Sequence, residues 1–214
     1  MTDLPIALTG RLAERLGRAL DREAKIPGAL ESLGPIAGRD VLLLDGSSVW
    51  NAERLAESGA RVTSITADEL AGADPAGADR PEADHLLADG SADVLVVAWS
   101  AFRDPTPAEL AAAERLLRPG GRLLVIQDYG RDDVSRLYGP RPEYSEWSRR
   151  DGPFLGSGFK VRVIHSWWTF DSLDETREFL VDAFGVPGEQ LAAGLTRPRL
   201  SYNVAVYHRS FDPG

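Results

Sequence analysis

Short apolar runs alternate along this chain with segments in which apolar residues recur every three or four positions. The unbroken runs at 40–45, 92–99 and 122–127 are typical of strands that are buried on both faces of a parallel sheet. Segments 49–58 and 107–118 have the helical period instead, and each follows a residue that can cap a helix. Strands that alternate with helices predict an α/β fold with a Rossmann-like, doubly wound sheet.

The same signals place the remaining elements. The predicted set is a single N-terminal helix over 4–25 that ends at Pro27-Gly28, a strand at 61–66, a short strand near 85–87, an irregular segment at 128–158, a strand at 159–170, a helix at 172–185, a loop at 187–194 and a last strand at 201–208. We expect one compact domain overall, in which residues 1–37 are a helical extension of a Rossmann-like domain at 38–214.

Composition narrows the classes of function. The 214 residues carry a net charge of −9, so neither nucleic acid nor an anionic membrane is an expected partner. There is no cysteine, which excludes disulfides and thiolate chemistry, and the three histidines lack metal-ligand spacing, so no metal site is expected. The first residues show no signal-peptide pattern and no apolar run is long enough to span a bilayer, which predicts a cytoplasmic protein.

Three motifs on the scaffold resemble those of a known family. They are Ala56-Glu57-Ser58-Gly59-Ala60-Arg61-Val62, Asp89-Gly90-Ser91-Ala92-Asp93-Val94, and the helix–Arg118-Pro119-Gly120-Gly121–strand sequence. Residues 38–208 thereby resemble the class I S-adenosylmethionine-dependent methyltransferases, most closely the small single-domain type. The resemblance implies a seven-stranded, mostly parallel sheet with an antiparallel last strand and helices on both faces. It also implies S-adenosylmethionine as the cofactor and a small molecule as the methyl acceptor.

The resemblance places the cofactor at the ends of the first and second strands and beside the fourth. It also implies an acid for the adenine amine, whose position falls near Pro81 and for which Asp79, Glu82 or Asp84 could substitute. The glycine positions of the family's first loop fall here on Asp45, Ser47 and Val49, and the family's ribose-binding acid falls on Thr66. Carboxylates close to the expected positions could substitute for missing contacts. The candidate cofactor-binding residues are therefore Asp45, Gly46, Ser47, Thr66, Asp68, Asp84 and Trp99.

Acceptor-side residues of the family follow the fourth and fifth strands, which makes Phe102, Tyr129, Tyr144 and Trp147 candidates for a substrate pocket. Each also has a simpler interpretation, because aromatic residues commonly pack beneath helices and loops. Methyl transfer sometimes uses a general base, and the candidates are Asp128 and His165. Their simpler interpretations are a carboxylate that caps a turn and an ordinary histidine in a strand.

Two functions remain open from the sequence. The first is a small-molecule methyltransferase with an altered cofactor loop. The second is a non-catalytic methyltransferase-like module that binds a ligand or partner and has lost S-adenosylmethionine binding. A homodimer is compatible with both. The chain contains no G-x-S-x-G elbow, no Walker A loop and no G-x-G-x-x-G loop, so hydrolase, nucleoside triphosphatase and dinucleotide oxidoreductase functions have little support.

Overall fold

The computed structural model describes residue 8 and residues 10–45, 52–72, 87–100, 102–139 and 141–211. A single mixed sheet forms its centre, in the order β2-β1-β3-β4-β6-β5. Strand β6 runs in the direction opposite to the other five strands. The strands are β1 (Asp40–Asp45), β2 (Arg61–Ser64), β3 (Ala92–Ala98), β4 (Leu117–Asp128), β5 (Lys160–Thr169) and β6 (Arg199–Ser210).

The sheet of the described residues therefore has six strands instead of the expected seven. Its α/β class, its mostly parallel pairing and its antiparallel last strand agree with the sequence prediction. The strand predicted near 85–87 is the one that is not found. Residues 85 and 86 lie outside the described residues, and Leu87 is not part of a strand.

Helices cover both faces of the sheet. On one face, Leu16, Leu30 and Phe179 pack against β3 and β6. On the other face, Ala113 and Phe154 pack against β1, β3 and β4. The helices are α1 (Gly10–Ala19), α2 (Lys25–Ser32), α3 (Ala52–Ala56), α4 (Ala67–Leu70), α5 (Pro107–Leu116), α6 (Asp133–Tyr138), α7 (Pro142–Trp147), α8 (Pro153–Gly156), α9 (Leu173–Phe184) and α10 (Val186–Ala193). None of these helices is long and apolar enough to cross a membrane.

Strand β3 shows why the apolar runs form the centre of the sheet. Val94 and Val96 face one core, and Leu95 and Val97 face the other. All four side chains are fully buried. A strand with helices on both sides has no solvent-facing positions, so its sequence is apolar throughout instead of alternating.

The N-terminal helix breaks earlier than the sequence predicts. Asp21 and Ala24 have φ angles of +51° and +52°, which separate α1 from α2. The carboxylate of Asp21 accepts hydrogen bonds from the backbone N–H groups of Lys25 (3.1 Å) and Ile26 (2.8 Å) and so opens α2. Pro27 lies in the first turn of α2, where a missing N–H removes no helical hydrogen bond, and it therefore does not end the helix.

Prolines also open helices in two segments that were predicted to lack regular structure. The predicted irregular segment 128–158 holds α6, α7 and α8, and α7 and α8 each have a proline in the first turn. The predicted loop at 187–194 is α10, which likewise carries its proline near the N-terminus. Proline at a first helical turn is already in helical φ, so it starts a helix as readily as it ends one.

Candidate functional site

The carboxyl ends of β1, β3 and β4 lie side by side at one edge of the sheet. Asp45 ends β1 and pairs with Ala98 of β3, and Asp128 ends β4. The chain leaves β1 toward β2 on one side and continues through β3 toward β4 on the other. Ligands of open α/β sheets bind at such a switch point. The edge is therefore the candidate functional site.

The buried carboxylate of Asp128 organises this edge. Its Oδ1 accepts hydrogen bonds from the indole N–H of Trp99 (3.0 Å) and from the hydroxyl of Tyr202, which lies on β6. Its Oδ2 has only a long contact, 3.4 Å, from the hydroxyl of Tyr144. Trp99 is fully buried and Asp128 is 5% exposed. The end of β4 thus holds a carboxylate with one fully bonded oxygen and one oxygen with bonding capacity to spare.

Burial raises the pKa of Asp128 to about 6, although the hydrogen bonds from Tyr202 and Trp99 oppose this shift. Burial also raises the pKa of Tyr202 well above its usual value, as the nearby Asp128 charge does in addition. Tyr202 therefore stays protonated and donates to the carboxylate. A carboxyl group whose pKa lies close to neutrality can both accept and return a proton near physiological pH.

Two non-glycine residues beside this carboxylate have a left-handed backbone. Trp99, directly after β3, has φ of +43°, and Arg131, three residues after Asp128, has φ of +59°. Such conformations cost free energy and persist where surrounding contacts hold them, commonly at functional sites. The guanidinium of Arg131 lies over the ring of Tyr129, and the indole of Trp99 is held by Asp128.

A narrow cleft lies beside Asp128. In this structure it is too tight to hold a water molecule, and it is lined in part by Gln127, Arg141, Tyr144 and Trp147. Two arginines of the cleft lie over aromatic rings. The Cζ atom of Arg141 is 5.4 Å from the ring centre of Tyr138, and the Cζ atom of Arg103 is 5.6 Å from that of Trp147. The cleft therefore combines two cations, aromatic walls and one buried carboxylate.

Gly130 leaves space for the ring of Tyr144, which lines this cleft. Its φ is +78°, and a Cβ atom at this position would lie 2.5 Å from Cδ2 of Tyr144. We expect Gly130→Ala to destabilise the fold by about 2 kcal/mol, since the left-handed backbone alone costs about 1–2 kcal/mol and the ring must also move. Urea unfolding measures this loss.

The matched control is Gly158→Ala. Gly158 has a similar φ of +83°, but a Cβ atom there would meet nothing within 4 Å. The two substitutions share the backbone cost and differ in the contact with Tyr144. Equal losses in the two variants would contradict a supporting role for Gly130.

A second cavity lies at the same edge, on the face that carries α4 and α5. Its volume is about 240 Å³, and apolar side chains dominate its lining, which is Leu44, Ala67, Leu70, Ala71, Phe102, Ala108, Glu109 and Ala112. Phe102 is buried in its wall. Ligand pockets are usually apolar and of roughly 300–1,000 Å³, so this cavity has the size of a single flat ring system instead of a whole nucleoside.

The predicted cofactor residues beside this cavity have different environments. Thr66 caps α4: its hydroxyl accepts from the N–H of Glu69 (3.2 Å) and donates to the Glu69 carboxylate (2.9 Å), so this hydroxyl is already used. Asp68 is exposed in the first turn of α4, next to the cavity-lining Ala67. Gly46, Ser47 and Asp84 lie outside the described residues, as do Val49 and Trp50.

His165 and Tyr129 lie apart from the cleft. His165 is exposed on β5, and β6 separates that strand from β4. Its Nδ1 lies 2.8 Å from Oδ1 of Asn203, whose amide N–H₂ donates to the carbonyls of Gly130 and Arg131. Because the Asn203 oxygen must then accept, Nδ1 of His165 is the donor. Tyr129 packs against the same core as the cleft walls Tyr144 and Trp147, but it does not line the cleft.

Comparison with known proteins identifies the architecture. No family profile matches the sequence, and no curated protein sequence matches it. Among solved structures, a candidate type II methyltransferase from Anaeromyxobacter dehalogenans matches with a TM-score of 0.54 at 17% identity, over 88% of this chain and 97% of that one. This protein has the class I methyltransferase fold. A S-adenosylmethionine-dependent methyltransferase from Aquifex aeolicus also matches, at 20% identity over 91% of each chain and a TM-score of 0.47.

Within this methyltransferase fold, the sequence prediction missed Tyr202, which donates to Asp128, and Tyr138, whose ring lies under Arg141. It also missed four residues that line the cleft: Arg103, Gln127, Arg141 and Glu143. Tyr202 lies in a strand whose alternation puts residues 202, 204 and 206 on one face, and this was the available signal. Arg141 and Tyr138 come from the segment that was predicted to be irregular, so no pattern indicated where they would lie.

Proposed function

We propose that this protein is an S-adenosylmethionine-dependent methyltransferase that acts on a small molecule. The observation that carries the proposal is the apolar cavity between β1, α4 and α5, at the cofactor edge of a class I methyltransferase fold. The cofactor would lie across the carboxyl ends of β1, β2 and β3. The acceptor would lie beyond Trp99, in the cleft of Asp128, with Tyr144 and Trp147 at its walls.

The described side chains fit the base of this cofactor. Leu44, Leu70 and Phe102 present apolar surface to a cavity of about 240 Å³, which suits a flat purine ring. The exposed carboxylate of Asp68 lies beside that cavity and is chemically suited to accept hydrogen bonds from ribose hydroxyls. We expect Asp84 to serve the adenine amine, and Asp45, Gly46 and Ser47 to contact the amino-acid part.

When bound, the cofactor supplies an electrophilic methyl group. The residues of this chain then need only to align the acceptor, exclude water and accept one proton. Trp99, directly after β3, is held in place by the hydrogen bond from its indole N–H to Asp128. We assign Asp128 to accept the proton, because burial raises its pKa to about 6.

S-adenosylhomocysteine should raise the melting temperature of this protein. A ligand that binds only the folded state stabilises it by about 2.7 kcal/mol when its concentration is a hundredfold above Kd. Differential scanning fluorimetry with S-adenosylhomocysteine and S-adenosylmethionine measures this shift, and calorimetry gives Kd. A melting temperature that stays constant at millimolar concentrations of both compounds would contradict the proposal and favour a non-catalytic module.

Ala112→Phe provides the structural part of this test. Ala112 lines the apolar cavity, so a phenyl ring at this position occupies the space that we assign to the purine. We expect the affinity for S-adenosylhomocysteine to fall at least about tenfold. The control is Ala111→Phe, because Ala111 is the preceding residue of α5, is exposed and does not line the cavity. Equal affinities in the two variants would place the purine elsewhere.

A further inference from the structure

We propose that the acceptor is a small aromatic carboxylate that carries a hydroxyl group, and that it binds in the cleft beside Asp128. Arg141 would pair with the carboxylate of this acceptor, and Asp128 would receive the proton of its hydroxyl. The proposal rests on the proposed methyltransferase function and adds to it the class of substrate and the role of two side chains.

The charge of Arg141 points to an acidic ligand. Its half-buried guanidinium lies over the ring of Tyr138, and within the described part of the chain no carboxylate is close enough to form an ion pair with it. Other arginines near the protein surface do have such partners, for example Arg118 with Asp40 at 2.8 Å. A guanidinium presents two parallel N–H groups that match a carboxylate, so an acidic ligand is its natural partner.

The free bonding capacity of Asp128 points to a ligand hydroxyl. Trp99 and Tyr202 both donate to Oδ1, and Oδ2 has only the 3.4 Å contact from Tyr144. A carboxylate oxygen accepts two hydrogen bonds, so Oδ2 has the capacity to accept from a second donor. Its neighbour Tyr138 also has a buried hydroxyl oxygen without a hydrogen-bond partner. Oδ2 of Asp128 can therefore accept a further hydrogen bond, and the nearby Tyr138 hydroxyl makes none.

The walls of the cleft point to a flat ring. Tyr144 and Trp147 line it, and their rings meet edge to face with centroids 6.2 Å apart. The cleft itself is narrower than a water molecule, so a ligand can bind there only if these side chains move apart. A planar aromatic acid needs the smallest such movement and gains contact with aromatic walls on entry.

Asp128 takes up the proton that the methyl transfer releases. The acceptor oxygen gains a methyl group and loses its proton, and the proton moves to Oδ2 of Asp128. The methyl donor loses its positive charge and the carboxylate of Asp128 loses its negative charge in the same reaction, while the carboxylate of the acceptor stays paired with Arg141. The neutral carboxyl group is compatible with its apolar surroundings, and it returns the proton to solvent when the product leaves.

Several titratable groups face Asp128 and bear on its response to pH. They are Tyr202 from β6, Tyr138 from α6, Tyr144 from α7, Asp132 from the loop after β4, and the cleft residues Arg103, Arg141 and Glu143. Burial raises the pKa of all three tyrosines, so they stay protonated through neutral pH. Burial raises the pKa of Asp132 as well, so an Asp128→Asn variant is needed to isolate Asp128.

Benzoate is the probe for the acidic subsite, because it is a flat carboxylate that stays ionised across the relevant pH range. Benzyl alcohol is its neutral counterpart. We expect benzoate, and not benzyl alcohol, to bind the wild-type protein by calorimetry, with an affinity that falls at least about tenfold in Arg141→Gln. The control Arg150→Gln removes one charge from an exposed residue of the same segment and should leave the affinity unchanged.

The affinity of the wild-type protein for benzoate should rise about tenfold between pH 8 and pH 5.5, as protonation of Asp128 removes a like charge beside Arg141. Between pH 5.5 and pH 8, Asp128→Asn should bind benzoate with the affinity that the wild-type protein has at pH 5.5. A merely structural role of Asp128 would not produce this response. Failure of benzoate to bind, or equal affinities in the two arginine variants, would overturn this assignment. S-adenosylhomocysteine binding is measured in the same samples, so its loss would instead reveal a failure of the proposed function.

Discussion

Replacing Trp99 with alanine should lower the free energy of unfolding by about 3–5 kcal/mol. The indole is fully buried between the sheet and the helices of one face, and its N–H donates to the buried carboxylate of Asp128. Alanine would leave a cavity and would also remove one of the two donors that stabilise the charge of Asp128. Urea unfolding followed by circular dichroism measures the loss.

Trp167→Ala is the matched control for this substitution. Trp167 is half-buried on β5, where Arg199 lies 4.3 Å from its ring centre and Lys25 lies on it as well. Exposed cation–π contacts contribute only about 0.5–1 kcal/mol, so we expect a loss of about 1 kcal/mol. Equal losses of unfolding free energy in Trp99→Ala and Trp167→Ala would contradict the placement of the Trp99 indole in the core.

As the pH rises from 4 to 7, the free energy of unfolding of Asp128→Asn should increase by about 3 kcal/mol relative to that of the wild-type protein. The physical reason is that the pKa of Asp128 rises from 3.8 to about 6 on folding, mainly through burial. A difference of about two pH units corresponds to about 3 kcal/mol. Asparagine has nearly the same shape, and its side-chain oxygen can accept from Trp99 and Tyr202.

The direction of this pH dependence follows from whether the folded or the unfolded protein holds the Asp128 proton. Between about pH 4 and pH 6 the folded protein keeps the Asp128 proton that the unfolded chain has lost, so unfolding releases a proton. The contribution of this group to stability is therefore present below the unfolded pKa and is lost as the pH rises through the folded pKa. Asp40 and Asp93, whose pKa values are lowered, act in the opposite direction. They are common to both proteins and cancel in the difference.

Urea titrations of both proteins at several pH values between about 4 and 7 give this difference. The surface variant Asp151→Asn is the control, since Asp151 is exposed and its pKa is lowered by Arg149. That variant should show a small effect of the opposite sign. A stability difference between Asp128→Asn and the wild type that does not vary with pH would contradict the account of a buried, partly bonded carboxylate.

The positions of the residues that form the candidate site could be predicted only in part. Asp128 lies where a strand-end residue must lie once 122–127 is recognised as a strand. Its bond to Tyr202 could not be predicted, because it requires the pairing of β4 with β6, which are more than seventy residues apart. The role of Thr66 was likewise undetermined: its hydroxyl caps α4, a local interaction that competes with any ligand contact.

By itself, the sequence determined the alternation of strands and helices, the burial of β3 and the methyltransferase-like order of elements. These properties depend on local periodicity and capping, which neighbouring residues fix. Tertiary structure alone decided that α1 breaks at Asp21, that Trp99 and Tyr202 meet at Asp128, and that Arg141 lies in the same cleft. Such contacts join residues far apart in the chain, so their energies appear only after the sheet has brought those residues together.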